Sequence, residues 1–321
     1  MISQPSTKDV LLFAGGMDST AMLCLAKDRK IDPAAVVMAD TGNEHPVTLA
    51  YVQYVQDKLG FEIQTIRADF TERLAKRRES VLKTWPDKGI DPDRIAAAAE
   101  LLKPTGIPYL DLCLLKGRFP APGTRSCTEE LKTIPIQRQV LIPLVQAGHR
   151  VRSWQGMRED ENTAKVQLEM EDKLDLGIEA YRPLYRWSAK EVLAIHKRHG
   201  IEPNPLYKAG MWRVSCSPCM RCSKDELRET ALRYPEAIEK VRQWEAMVSQ
   251  VSPRGAATYL PLATYHPAAR HWPAERVRAE AGIDSAVNWS QTVDHSRQQM
   301  DLIRTHLTDP DQCRSHYGLC E

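Results

Sequence analysis

The N-terminal seventy residues alternate between short apolar runs and segments whose apolar positions recur at helical spacing. Val10 to Phe13 reads as a buried strand, Ser19 to Ala26 as a helix, Ala35 to Ala39 as a second strand, Pro46 to Leu59 as a helix and Phe61 to Arg67 as a third strand. Such alternation predicts an α/β fold: a parallel twisted sheet with flanking crossover helices, whose ligands sit beyond the carboxyl ends of the strands. That arrangement brings Ala14 to Thr20 beside Asp40 to His45. Residues 80–125 break the rhythm with Trp85-Pro86, Asp91-Pro92, Lys103-Pro104, Ile107-Pro108 and Phe119-Pro120 around one Ala-rich helical piece, Ile95 to Leu102. This stretch reads either as an insertion packed over the site or as a surface loop.

The alternation resumes with Val151 to Gln155 as a strand and Ser188 to His199 as a helix, Ser188 capping it with Glu191 as capping-box partner. Lys224 to Tyr234 and Pro235 to Val248 read as charged helices, the second opened by proline at its first position. Beyond Ser252-Pro253 the chain turns irregular, with helical segments at Pro273 to Ala281 and Val293 to Leu307 and a tail from Cys313 to Glu321. No internal repeat or low-complexity tract interrupts it.

Composition narrows the class. The 321 residues are 42% hydrophobic and 27% charged, with 44 Lys+Arg against 42 Asp+Glu, net +2. This suits a soluble globular protein and excludes a wholly basic nucleic-acid binder. No apolar run approaches the roughly 18 residues of a membrane span, so no membrane association and a cytoplasmic location are expected. The charge is uneven: residues 116–158 hold eight Lys/Arg against Glu129 and Glu130, net +6. Either a solvated basic face or a site for a polyanion would show this pattern. Arg125 and Arg158 are the best candidates for bidentate phosphate contacts.

Ala14-Gly15-Gly16-Met17-Asp18-Ser19-Thr20 lies between the first strand and the first helix. Two glycines allow a sharp turn and close backbone approach, and Asp18, Ser19 and Thr20 stand at a helix N-terminus whose dipole favours an anion. A phosphate is the expected ligand, although the loop is neither a Walker loop nor GxGxxG. A plain strand-to-helix turn with an Asp cap is the simpler alternative.

Eight cysteines complete the inventory, at 24, 113, 127, 216, 219, 222, 313 and 320. Three of them fall in Cys216-Ser217-Pro218-Cys219-Met220-Arg221-Cys222, spacing that can direct three thiolates at one metal centre. An iron-sulfur cluster, a single zinc or three unliganded thiols would each account for it, while Cys24 and Cys113 read as structural.

The glycine loop resembles the PP-loop ATP pyrophosphatase superfamily, whose mark is Ser-Gly-Gly-x-Asp-Ser after the first strand. Here Ala14 replaces the serine, and the resemblance assigns nucleotide binding to Gly15, Gly16, Asp18, Ser19 and Thr20. Gly123-Thr-Arg125-Ser-Cys127 through Leu131-Lys132 and Pro135 resembles a segment of the phosphoadenosine phosphosulfate (PAPS) reductase relatives. So do Asp40-Thr41-Gly42 through Pro46, Trp154-Gln-Gly156-Met-Arg158, Tyr181 to Trp187 and Asn204-Pro-Leu-Tyr207. Together these imply an adenine nucleotide alpha hydrolase-like fold. Residues 1–215 would form the nucleotide-binding domain, and 216–321 a mostly helical region closing over the site.

The resemblance further implies nucleotide contacts from Asp40, Thr41, Gly42, Arg125 and Arg158, and catalytic roles for Asp18, Ser19 and Arg158. A [4Fe-4S] cluster would be held by Cys127, Cys216 and Cys219, with Cys222, Cys320 or Cys313 as fourth ligand. ATP with Mg2+ would be cleaved to AMP and pyrophosphate during sulfur transfer. The acceptor would be nucleic acid, with DNA phosphorothioation ahead of tRNA thiolation, and a cysteine desulfurase would supply the sulfur. The alternatives are a sulfonucleotide reductase with Cys320 as nucleophile, and a non-catalytic nucleotide-binding subunit. An oligomer is compatible with either.

Overall fold

The computed structural model describes residues 6–121, 126–159 and 169–292. Its centre is a six-stranded sheet of order β3-β2-β1-β4-β6-β5, built from β1 (Thr7–Phe13), β2 (Ala35–Ala39), β3 (Ile63–Ile66), β4 (Arg150–Trp154), β5 (Glu171–Lys173) and β6 (Glu179–Tyr181). Every pairing is parallel except the edge pair β5–β6, so the sheet is the expected parallel one with a single antiparallel edge strand. The two-residue side-chain period of β1 divides it between two layers. Leu11 and Phe13 pack with α1 (Met17–Asp28), α2 (Pro46–Leu59) and Trp154 on one face, whereas Val10 and Leu12 pack with Val37, Ile136, Val140 and Val151 on the other.

That second face is covered by a continuous helical run, residues 126–146, containing π turns at Glu129–Thr133 and Gln137–Leu141. Pro135 and Pro143 lie just beyond those turns, and widening the helix relieves the clash that a proline ring makes with the preceding turn. Two prolines hid this helix from a reading based on helix breakers.

Residues 80–116 are mostly helical rather than a surface loop. α3 (Thr71–Thr84), α4 (Pro92–Leu101) and α5 (Pro108–Lys116) supply Leu74, Trp85, Leu102 and Leu112 to a third apolar core, which they share with Val241, Trp244 and Val248 of helix Pro235–Val251. Tyr109 N donates to Thr41 O at 2.8 Å, tying this layer to the loop after β2. Ser188 caps helix Ala189–Arg198 with the anticipated capping box. Val293 to Leu307 and the tail lie outside the described residues. No helix among the described residues is long and apolar enough to cross a membrane.

Candidate nucleotide and thiol site

Strand order reverses direction between β1 and β4, so the crevice beyond their carboxyl ends is the topological switch point of the sheet. The glycine loop follows β1 and Gly156 to Arg158 follow β4, one on each side of it. Gly15 has φ +82°, and a Cβ there would stand 2.7 Å from Thr48 Cγ2. Gly156 is equally constrained: a Cβ would lie 2.7 Å from Ser19 Cα and 2.8 Å from Ser19 N. Its lack of a side chain lets the end of β4 lie against the first turn of α1.

Arg158 uses this closeness. Its Nε donates to Asp18 Oδ1 at 2.9 Å, both side chains being buried. Ser19 Oγ and Thr20 Oγ1 donate to Gly16 O at 3.2 and 2.8 Å, so both hydroxyls shape the loop. Tyr207 and His196 brace it from outside: Met17 N donates to Tyr207 Oη at 3.1 Å, and His196 Nε2 lies 2.8 Å from Met17 O. Burial lowers the His196 pKa, and the Met17 carbonyl, an acceptor only, assigns a ring proton to Nε2. Asn204 Nδ2 donates to Gly15 O at 3.1 Å. None of these three supports was among the predicted site residues, although Asn204 and Tyr207 lay in a flagged motif.

The loop after β2 forms the far wall. Asp40 pairs with Arg67 at 2.9 Å and accepts from Gly42 N at 2.8 Å. Thr41 N and Oγ1 donate to Glu44. Burial raises the Glu44 pKa, with Lys132 opposing the rise. This loop is stitched to the cysteine turn: His45 N donates to Ser215 O, Ser217 N to Asn43 O, and Glu44 bridges Cys216. Lys240, absent from any motif, donates from Nζ to Asn43 Oδ1 at 2.8 Å and Ser217 O at 2.9 Å. Tyr259 Oη donates to Pro218 O at 2.6 Å.

Cys127 comes from the 126–146 helix and Cys216, Cys219 and Cys222 from the turn; all four are partly buried. Cys216, Cys219 and Cys222 line one small cavity with His45, Arg213 and Glu226. Burial pushes the Cys216 thiol up to about 12, with Lys132 opposing and neighbouring Glu44, Cys219 and Cys127 reinforcing it. Cys219 is raised by burial, and Cys222 well above its ordinary value. Among the described residues no three His, Cys, Asp or Glu side chains converge at metal-binding geometry. The donor chemistry nonetheless fits a thiolate-bound centre, since four neighbouring thiols are soft ligands and Lys132 offsets thiolate charge. Cys24 and Cys113 are fully buried in apolar cores, away from the turn in sequence. Arg125, Cys313 and Cys320 lie outside the described residues.

At least four of the eight cations of the basic segment are paired. Lys116 contacts Glu130, Arg150 Glu179, Arg152 Asp9 and Arg158 Asp18, the last three acids lying outside residues 116–158. Counting charge along the chain therefore overstated the basic face.

Residues 8–222 match the family model of the phosphoadenosine phosphosulfate reductase domain. The chain belongs to this family. An uncharacterized 37.8 kDa protein of Escherichia phage 186 is 39% identical over 98% of this chain and 97% of its own length. The adenosine 5'-phosphosulfate reductase of Burkholderia cepacia is 24% identical over 59% of this chain, which spans 60% of that enzyme. That of Neisseria meningitidis serogroup A is 30% identical over 33% of the chain and 43% of the enzyme. The solved PAPS reductase of Candida auris, a phosphate complex, aligns with TM-score 0.39 and 16% identity over 67% of this chain and 83% of its own. The matched span of this PAPS reductase-domain protein contains the glycine loop, Arg158 and the cysteine turn.

Proposed function

We propose that this PAPS reductase-domain protein binds ATP with Mg2+ in the β1/β4 crevice and cleaves it to AMP and pyrophosphate while adenylating an acceptor for sulfur transfer. The carrying observation is the intact Gly15-Gly16-x-Asp18-Ser19 loop at the switch point, with Asp18 held by Arg158. Backbone N–H groups and the helix dipole at the start of α1 suit the anionic phosphates, and the glycines admit them closely. An acceptor oxygen attacks the α-phosphorus, the bond to the bridging oxygen breaks, and pyrophosphate departs as an anion towards the loop. Asp18 orients Arg158 against the developing charge.

Cys127, Cys216 and Cys219, with Cys222 beside them, would hold a metal centre, an iron-sulfur cluster before zinc. Such a cluster supplies sulfur or electron chemistry when bound. Nucleic acid is the favoured acceptor, as DNA phosphorothioate before tRNA thiolation, with a cysteine desulfurase as sulfur donor in the cytoplasm. The paired charges of residues 116–158 reduce the support for a polyanionic acceptor.

A second reading, a sulfonucleotide reductase, is supported by the named reductases among the relatives. Separate anaerobic incubations with labelled ATP and with adenosine 5'-phosphosulfate or PAPS distinguish the two. AMP and pyrophosphate from ATP support the first, and sulfite from a sulfonucleotide with a thiol reductant supports the second.

A further inference from the structure

Gln155 is the first residue beyond β4 and Arg182 the first beyond β6, so both stand at the carboxyl end of the sheet, the end from which the glycine loop leaves β1. The register pairs Leu11 with Trp154 and Trp154 with Tyr181. Continuing it by one residue sets Gln155 beside Leu12 and Arg182, on the face bearing the 126–146 helix. Leu12 is two residues before Ala14, where the glycine loop starts.

Gln155 and Arg182 are both fully buried. Arg182 Nε donates to Gln155 Oε1 at 2.9 Å, which fixes the amide orientation: the oxygen faces Arg182 and the NH2 faces away. Arg182 is itself anchored, donating from Nη1 to Glu169 O at 2.7 Å and pairing with Asp172. The Nε2 of Gln155 finds no acceptor among the described residues. A buried donor without an acceptor is costly and rare, so an amide locked in this orientation needs an account.

We propose that Gln155 is a ligand-contacting residue whose Nε2 donates to a phosphate oxygen of the bound nucleotide, with Arg182 as the positioning residue that aims it. The assignment rests on the nucleotide reading above. Ala14 brings no side-chain donor to this end of β1, and Gln155 approaches the same place from β4. The neighbouring residues carry the same logic: Gly156 lets the β4 end reach α1, and Arg158 meets Asp18. The competing account is an internal water shared with Ser153 Oγ, which is also buried and without a partner among the described residues, two positions earlier on the same face.

Calorimetric titration of the full chain with ATP, AMP and adenosine separates these accounts. Gln155→Met removes the amide at similar volume, Gln155→Glu keeps an acceptor for Arg182 in case the first variant folds poorly, and Ser153→Ala removes only the hydroxyl. The expected result is about tenfold to a hundredfold weaker ATP and AMP binding in both Gln155 variants. Adenosine should bind as to wild type, and Ser153→Ala should bind all three normally. Unchanged ATP and AMP affinity in a folded Gln155 variant, with Gln155→Met and Ser153→Ala shifting thermal stability alike, would overturn the proposal in favour of the water. Equal weakening of adenosine and AMP would overturn the phosphate contact. Failure of wild type to bind any of the three would overturn the nucleotide reading and this assignment with it.

Discussion

Arg158 Nε donates to Asp18 Oδ1 across the β1/β4 crevice at 2.9 Å, in a pair of which each side chain is less than a tenth exposed. Removing either partner deprives a buried charge of this ion-pair contact, a loss of up to about 3–5 kcal/mol. Asp18→Asn and Arg158→Met should each destabilise the chain by that order, and the double variant by less than their sum. Urea unfolding of the four proteins measures the coupling; strict additivity would show that the pair carries no mutual energy.

Gly156→Ala should cost about 1–3 kcal/mol and also weaken ATP binding, because the new methyl can be accommodated only by moving the first turn of α1. Gly148→Ala is not an equivalent control for strain, since Gly148 has φ +84°, but nothing lies within 4 Å of its Cβ position. It should leave ATP binding intact. Calorimetry of the two variants checks whether the nucleotide effect follows the crowded glycine.

Glu245, on helix Pro235–Val251, gives a pH dependence of stability. It accepts from Tyr259 N at 2.6 Å and Ile283 N at 2.8 Å, and burial raises its pKa from 4.5 to about 7. A carboxyl with a raised folded pKa keeps its proton in the native state after the unfolded chain has released it. Its contribution to stability is therefore complete below about 4.5 and is lost as pH rises through about 7, by at most about 1.4 kcal/mol per pH unit. Unfolding free energies at pH 5.5 and pH 8 should differ less in Glu245→Gln than in wild type. An equal difference in both would assign the pH dependence to other groups.

Lys240→Met should cost about 1.5–3 kcal/mol, the scale of hydrogen bonds made by a charged donor, because Asn43 Oδ1 and Ser217 O both lose their ammonium partner. The same change should make Cys219 react faster with iodoacetamide in the metal-free protein, since the turn carrying it loses one of its ties to the β2 loop. Mass spectrometry of the alkylated peptides reads this directly, and unchanged rates would show that the turn is held by other contacts.

The N-terminal half of the sheet was legible because its signals are local. Continuous apolar runs gave β1 and β2, and Pro46 marked the start of α2 exactly where the structure begins it. Ser188 with Glu191 located a helix end by the same kind of short-range chemistry. The 126–146 helix was hidden because Pro135 and Pro143 break the ordinary helical pattern and are tolerated only through π turns. α3 buries just Leu74 and Val81 among many charges, too thin a stripe to stand out. Within the site, Asp18 and Arg158 were each visible in a motif, but their pairing spans 140 positions. Lys240 and His196 act through tertiary contacts and have no motif to announce them, and Gln155 lay in a motif whose visible marks are Gly156 and Arg158.

The central claim is tested most directly by the products formed from ATP. Anaerobically prepared protein given Mg2+, labelled ATP, a nucleic-acid acceptor and a sulfur donor should release AMP and pyrophosphate in equal amounts, and Asp18→Ala should stop it. Intact ATP under these conditions, together with sulfite release from adenosine 5'-phosphosulfate or PAPS, would contradict the account and establish the reductase reading.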